Sequence, residues 1–502
     1  MKYQIAGNYF NGSFNIPENQ DEIFRKSCPG NTNQKLWEFH TSYEHIDRVI
    51  ESAEAGHKIW KKTPISERIN YLRAYQNQLK NHLNEIAISI ALETGKPLWE
   101  SKTEAQALIT KVDITIDHSL GRIEEKKYPE IAPNSDGRLF FKPIGPCLII
   151  GPFNFPCHLA NGQITSALIA GNSIIFKPSE KTMASSEWLI RCLHQAGFPT
   201  GVVNLIQGGG EIASRLVKEK AIKGIFFTGS YDVGLKIVSN TSHQISKLVA
   251  LELGGKNTSL VFEDAPLEHA LTELVQACFL SSGQRCTSTS IIGIHQSCLD
   301  EFIDKFHQIT KRIIIDHPID YDQEPFMGPL IDEKSQQTYL SLMSMAKRDG
   351  AEEIMRGKAL DKKFPGYYVS PSIHLIQKPR KDSPFLQTEI FGPNCTIIPF
   401  KSDEEAYAIA NISEYGLASS IFTLDQKRQE QALMEIESGQ VNINRSTIGA
   451  SSLLPFGGIK NSGNYRPAAI SMIDSCAYPV ASLRLKDLSS NISSIRGITT
   501  TP

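Results

Sequence analysis

An α/β fold built on a parallel sheet with crossover helices is what this sequence predicts, and three observations lead there. From residue 144 onward, short apolar runs alternate with helical segments: Cys147 to Ile150, Ser173 to Lys177, Val202 to Ile206, Ile225 to Thr228 and Leu248 to Leu251. Runs that short and apolar throughout are the signature of strands covered on both faces. The chain has 502 residues, 40% of them hydrophobic, more than one core of ~250–300 residues sustains, so two or three folding units are expected. Its 52 Lys plus Arg against 54 Asp plus Glu leave a net charge of −2, which argues against a nucleic-acid partner.

Before the alternating region, the first hundred residues carry helix signals. Thr41-Ser42-Tyr43-Glu44 reads as a capping box ahead of Ile46, Val49, Ile50 and Ala53. A second helix follows, with Thr63 and Pro64 at its start, a stripe of Ile65, Ile69, Leu72, Leu79, Leu83 and Ile86, and Gly95 and Pro97 at its end. No stretch approaches the ~18 apolar residues of a membrane span. The opening MKYQIAGNYFNGSF has no basic region followed by an apolar block, so a cytoplasmic chain with no membrane partner is expected. Residues 489–502 are polar and rich in Ser and Thr, which predicts a flexible tail. The nine cysteines are scattered and none forms Cys-x-x-Cys, so neither a disulfide framework nor a metal site is expected.

Open parallel sheets bind ligands beyond the carboxyl ends of their strands, which directs attention to the turns after each apolar run. Gly229-Ser230-Tyr231-Asp232-Val233-Gly234 is a strand-to-helix turn whose amides can face a pyrophosphate; read alone, it is equally a tight connection. Lys177 and Glu180 stand three apart after another run. Glu180 can accept from ribose hydroxyls and would repel a 2′-phosphate, which favours NAD over NADP, although a solvated Lys/Glu turn has the same spelling.

The chemistry-bearing candidates are three. Cys286 follows the glycine-containing turn of Ser281-Ser282-Gly283-Gln284-Arg285, where a thiol can approach a ligand and act as nucleophile once activated. Glu252 lies between two leucines just before Gly254-Gly255, an apolar setting that raises a carboxyl's pKa and suits a general base. Asn154 is held between prolines and aromatics in Gly151-Pro152-Phe153-Asn154-Phe155-Pro156, where its amide can serve an oxyanion or simply form the turn.

Together GPFNFP, GNSIIFKPSE, FTGSYDVG, LELGGKN, GQRCT, EIFGP and PFGGIKNSG resemble the aldehyde dehydrogenase superfamily in order and spacing. The resemblance implies a Rossmann-type parallel-sheet NAD-binding domain (1–120 and 144–254), an α/β catalytic domain (255–445) and a small β oligomerisation arm (121–143 and 468–488). It implies Cys286 as nucleophile, Glu252 as base, and Asn154 with the Cys286 amide as oxyanion donors. Lys177 and Glu180 fall at the adenine-side ribose, Gly229, Ser230 and Gly234 around the pyrophosphate turn, and Glu389 and Phe391 at the nicotinamide side. A small-molecule aldehyde substrate and a homodimer or higher homo-oligomer follow from the same likeness. A catalytically silent family member would lack Cys286 or Glu252, and both are present.

Within the superfamily, Glu93 to Glu100, Asn154 to Gly162, Gly449 to Gly458, Ser462 to Pro467 and Ala477 to Leu483 are similar to the branch that oxidises N-succinylglutamate 5-semialdehyde in arginine catabolism. That substrate carries two carboxylates, so cations and donors are sought for it: Arg445, Arg466, Ser288, Ser462 and His158 are the candidates. The chain departs from the branch at Ser288-Thr289-Ser290, where the branch has Cys-Ala-Arg. Glutamate 5-semialdehyde, succinate semialdehyde and broad aldehyde specificity remain the alternatives.

Overall fold

Two seven-stranded sheets and a three-stranded sheet organise the computed structural model, which describes residues 3–487 and 496–497. The first large sheet contains the five predicted strands, as Cys147–Ile150 unchanged, Ile174–Lys177 and Val203–Leu205 shortened, and Gly224–Thr228 and Leu248–Glu252 each one residue longer, all parallel. Side chains of the first four are buried on both faces, and those of Leu248–Glu252 are buried from Ala250 onward, which explains why they read as unbroken apolar runs. Register places Thr228 beside Glu252, Phe227 beside Ile150 and Ile150 beside Lys177. The turns starting at Gly151, Pro178, Gly229 and Leu253 therefore share one carboxyl edge.

The second large sheet spans Glu352–Met355, Ser372–Leu375, Asn394–Phe400, Thr289–His295, Asn257–Val261, Ala418–Phe422 and Gln440–Ile443, in that spatial order. Only four residues, Leu253 to Lys256, separate the Leu248–Glu252 strand from Asn257–Val261. The carboxyl edge of the first sheet thus faces the amino edge of the second. In the three-stranded sheet, Ser135–Pro143 lies between Lys126–Ala132 and Ala477–Leu485.

The amino-terminal expectations need correcting. Four strands precede the first helix: Asn8–Phe10 and Ser13–Asn15 extend the first sheet, and Glu22–Cys28 pairs with Asn31–Thr41. The expected capping box does not form, because the Glu44 carboxylate accepts from Glu18 and Asn19 instead, at 3.1 and 2.5 Å. The helix begins one residue later, as His45–Trp60. The second expected helix is two, Ile65–Asn81 and Leu83–Thr94, separated at His82 (φ −109°, ψ 18°), whose ring bonds to Gln195. Gly95 ends the pair at φ 83°, a left-handed cap that glycine adopts without strain. Of the tail expected to be flexible, 489–495 and 498–502 lie outside the described residues.

The next helix, Leu98–Ile114, buries charge as well as apolar surface. Glu100, Glu104 and Lys111 are each 2–3% exposed, and spacings of four and seven place them on one face. That face looks toward the two catalytic-candidate loops. No helix among the described residues is long and apolar enough to cross a membrane.

Candidate active site

Cys286 stands three residues before the Thr289–His295 strand, at the amino edge of the second sheet, and Glu252 ends the last strand of the first. Where these edges meet, a cavity of about 200 Å³ has Cys286 on its wall. Seven of the nine cysteines are buried, and Cys286 is one of two that are partly accessible. Burial and the nearby carboxyls of Glu252 and Glu389 push its thiol well above the usual range, while its own backbone amide and Arg285 pull the other way. The thiol is therefore protonated at neutral pH, with two acids close enough to act on it.

The loop carrying Cys286 is fixed by strain and by hydrogen bonds. Ser281 and Ser282 hold left-handed backbones (φ 53° and 56°), followed by Gly283 at 68°. Such conformations cost on the order of 1–3 kcal/mol for a non-glycine residue and persist only when neighbours impose them. Here Ser281 donates to Glu100, Arg285 donates to Ser281 and Glu100 at 2.9 and 2.7 Å, and Ser282 donates to the Gly328 carbonyl at 2.7 Å. Glu104, paired with Lys96, accepts from the amides of Cys157 and His158 at 3.1 Å. The charged face of one helix thus holds both the thiol loop and the Asn154 loop.

Asn154 is 7% exposed and donates through Nδ2 to the Gln284 carbonyl at 2.9 Å, tying its loop to the segment just before the thiol. An amide nitrogen carries two hydrogens, so one donor is left beyond this bond. Asn257 was not singled out by sequence reading, yet its Nδ2 donates to the Cys286 and Ser288 carbonyls at 2.7 and 2.9 Å. Its Oδ1 accepts from the Ala418 amide at 3.0 Å. Only the contact to Cys286 across the Gly254-Gly255 turn reveals this role: a Cβ at Gly255 would lie 2.5 Å from the Cys286 carbonyl oxygen. Asn257→Ala is expected to lower kcat by about 10- to 100-fold, as two hydrogen bonds worth ~1 kcal/mol each are lost from the thiol loop. Steady-state kinetics checks this, with a melting scan confirming that the variant, lowered in melting temperature by the lost bonds, is still folded at the assay temperature.

Glu252 is 1% exposed and neither carboxyl oxygen has a hydrogen-bond partner. Burial drives its pKa well above 4.5, opposed by the Arg466 charge. A carboxyl in this state is a neutral acid at moderate pH and becomes a strong base once its proton leaves. Its surroundings come from the 462–464 segment. Leu253 donates to the Ser462 carbonyl at 2.9 Å, Asn464 to the Leu251 carbonyl at 3.1 Å, and Leu251 to Asn464 Oδ1 at 2.7 Å. Gly463 (φ 142°) packs directly on Leu251 and Glu252, where any side chain would collide with the Leu251 carbonyl.

At the carboxyl edge of the first sheet, Lys177 is 3% exposed and donates to the Pro178 carbonyl at 2.6 Å, with Glu180 half-buried three residues on. Ser230 is exposed before the Tyr231–Thr241 helix, and its side chain makes no capping hydrogen bond. Gly229 donates to the Glu252 carbonyl at 3.1 Å. At Gly234 the helix packs closely on the strand end: a Cβ there would come within 2.8 Å of Leu253. Glu389 accepts from the Gly255 amide at 3.0 Å, and burial pushes its pKa up to about 7. Phe391 (φ 50°) meets Phe153 edge-on at 5.8 Å.

Among the proposed substrate residues, His158 alone lines the cavity. Arg445 is exposed and away from it. Arg466 is half-buried and acts on Glu252. Ser462 Oγ accepts from the Gly416 amide at 3.0 Å, and Ser288 is buried behind the thiol loop. The cations on the cavity wall are Lys111 and Arg285. No cluster of metal-ligating side chains occurs among the described residues.

Comparisons with known proteins agree with this architecture. The aldehyde dehydrogenase family model matches residues 16–478. An N-succinylglutamate 5-semialdehyde dehydrogenase of Novosphingobium aromaticivorans is 38% identical over 437 residues, 87% of this chain and 91% of that relative. Its namesake from Legionella pneumophila is 34% identical over 499 residues, 99% and 98% of the two chains. A solved structure of 1-pyrroline-5-carboxylate dehydrogenase from Thermus with bound NAD superposes with a TM-score of 0.88 at 25% identity, covering 95% of this chain and 92% of that one. Since one family accounts for nearly the full length in sequence and in fold, the chain belongs to the aldehyde dehydrogenase family.

Proposed function

We propose that this chain oxidises N-succinylglutamate 5-semialdehyde to N-succinylglutamate with NAD, through a covalent intermediate on Cys286. The observation that carries the chemistry is a cavity-wall thiol with the buried carboxyl of Glu252 close enough to shift it. The substrate is supported by relatives of that name at 34–38% identity.

In this reading the Cys286 thiol first gives its proton to solvent, the thiolate sulfur adds to the aldehyde carbon, and the second Nδ2 hydrogen of Asn154 and the Cys286 amide hold the resulting alkoxide. NAD, when bound, accepts the hydride that the tetrahedral carbon must lose. The donor set at the carboxyl edge fits such a group: Lys177 offers a donor and Glu180 an acceptor for ribose hydroxyls, and the exposed Ser230 helix start suits a pyrophosphate. Glu389 and Phe391 complete the opposite end. Glu252, once deprotonated, takes a proton from water as its oxygen attacks the thioester carbonyl. The acyl–sulfur bond then breaks, returning Cys286 and releasing a carboxylate.

Residues 1–120 and 144–254 form the cofactor domain in this reading, 255–445 the catalytic domain, and 121–143 with 468–488 an arm that joins copies of the chain. Exposed Tyr128, Ile131, Tyr478, Leu483 and Leu485 on its strands support a homo-oligomer. Unpaired, scattered cysteines agree with a reducing, cytoplasmic setting.

NAD reduction against a panel of N-succinylglutamate, glutamate and succinate semialdehydes and betaine aldehyde tests the substrate. The expected result is a kcat/KM for the succinylated aldehyde at least about tenfold above the rest, the discrimination of one charged contact. Equal turnover across the panel would defeat the assignment.

A further inference from the structure

Lys111 is an ionisable side chain that the chemistry above leaves without a task. It comes from the Leu98–Ile114 helix, is 2% exposed, and reaches the wall of the cavity that holds Cys286. Its Nζ donates to the Ala469 carbonyl at 2.8 Å and takes part in no ion pair among the described residues. An ammonium has three hydrogens, so that bond leaves two uncommitted. The other cavity cation, Arg285, is already matched by Glu100 at 2.7 Å. On the same cavity wall and near Lys111, His158 presents a buried Nδ1 without a hydrogen-bond partner. Ala469 offers its carbonyl from a strained backbone, φ 57° and ψ −141°.

A buried cation with no counter-charge is costly unless something arrives to neutralise it. Burial draws its pKa down to about 8, opposed by the Cys476 thiol and by no carboxylate. We propose that Lys111, with His158 beside it, binds a carboxylate of the aldehyde substrate on the wall of the cavity that also holds Cys286. This inference rests on the substrate reading given above. It gives a place to one of that substrate's two carboxylates, and it assigns selectivity for carboxylated aldehydes to a residue of the first large helix group instead of Arg445 or Arg466.

K111M and K111R, compared with wild type, test it on a carboxylated aldehyde, succinate semialdehyde, and on an uncharged one, butanal. In K111M, KM for succinate semialdehyde is expected to rise about 10- to 100-fold, the loss of one charge-assisted hydrogen bond. Its kcat, and both constants for butanal, should stay within about twofold. K111R should recover part of the loss. Wild-type KM for the carboxylated aldehyde should also climb as pH rises through about 8, where Lys111 gives up its charge. Cys286, His158 with Glu104 and Lys96 near it, Cys476 and the Arg285–Glu100 pair are the other titratable groups around that space, and K111M should abolish the climb while they remain. Methionine needs no counter-charge, so K111M should melt no lower than wild type.

Equal changes for both aldehydes, or a lower melting temperature with selectivity intact, would overturn the assignment and leave Lys111 a structural tie to Ala469. Failure of the substrate reading looks different. If wild type ignores N-succinylglutamate semialdehyde, succinate is used as a competitive inhibitor of butanal oxidation. Inhibition weakened about 10- to 100-fold by K111M would still uphold the carboxylate site, and unchanged inhibition would sink it.

Discussion

Cys286→Ser is expected to lower turnover by about 10,000-fold or more, the scale seen when a covalent nucleophile is removed. A serine hydroxyl ionises far less readily than a thiol, and the two nearest acids, Glu252 and Glu389, disfavour an anion at that position. The variant should keep its fold, since a half-buried thiol replaced by a hydroxyl loses little packing. The same electrostatics predict the reactivity of the native thiol. With its pKa raised, iodoacetamide should modify Cys286 slowly at neutral pH and faster with each increment of alkali. Mass spectrometry of the labelled chain reads both the site and the rate. A serine variant with near-native turnover would end the covalent mechanism.

Glu252→Gln carries the second large expectation: a steady-state rate reduced by about 100- to 10,000-fold, the usual contribution of a general base. Because the glutamine is isosteric and the Glu252 carboxyl makes no hydrogen bonds, binding and the first chemical step should be spared. Rapid-mixing measurements should show one enzyme equivalent of NADH formed quickly, followed by slow turnover while the thioester accumulates. The pH dependence has a definite sign. Folded Glu252 holds its proton above the pH at which an unfolded glutamate loses it, so deacylation should rise with pH as the buried carboxyl ionises. Stability behaves oppositely: the folded chain binds the extra proton, so Glu252 favours folding below about pH 4.5 and loses that contribution as pH rises through its folded pKa. Glutamine at 252 should flatten this slope in urea titrations at several pH values. Full turnover by the variant would remove Glu252 from the chemistry.

Legibility in the sequence followed burial symmetry. The five strands of the first sheet are apolar on both faces, so they stand out as runs, and their carboxyl-end turns could be found from the text alone. The Glu22–Cys28 and Asn31–Thr41 strands are half-exposed and irregularly paired, which dilutes their alternation to the point where helix signals nearby dominate. His82 breaks a helix through a tertiary bond to Gln195, 113 residues away, which no local pattern contains. Cys286, Glu252 and Asn154 were legible because each sits in an unusual local sequence. Asn257 and Lys111 were not, because each depends on what lies opposite it. Lys111 shares a helical face with Glu100 and Glu104, yet only the fold reveals that this face borders a cavity.

The 462–464 segment has a consequence for how the protein matures. Leu251 and Asn464, 213 positions apart, are directly bonded, so a growing polypeptide displays the thiol, the amide and the carboxyl long before the latter's cover has been synthesised. Until that strip docks, position 252 remains wetted by solvent and ordinary in acidity. A chain lacking the strip from 462 onward therefore has every reactive group in place while the carboxyl at 252 stays uncovered.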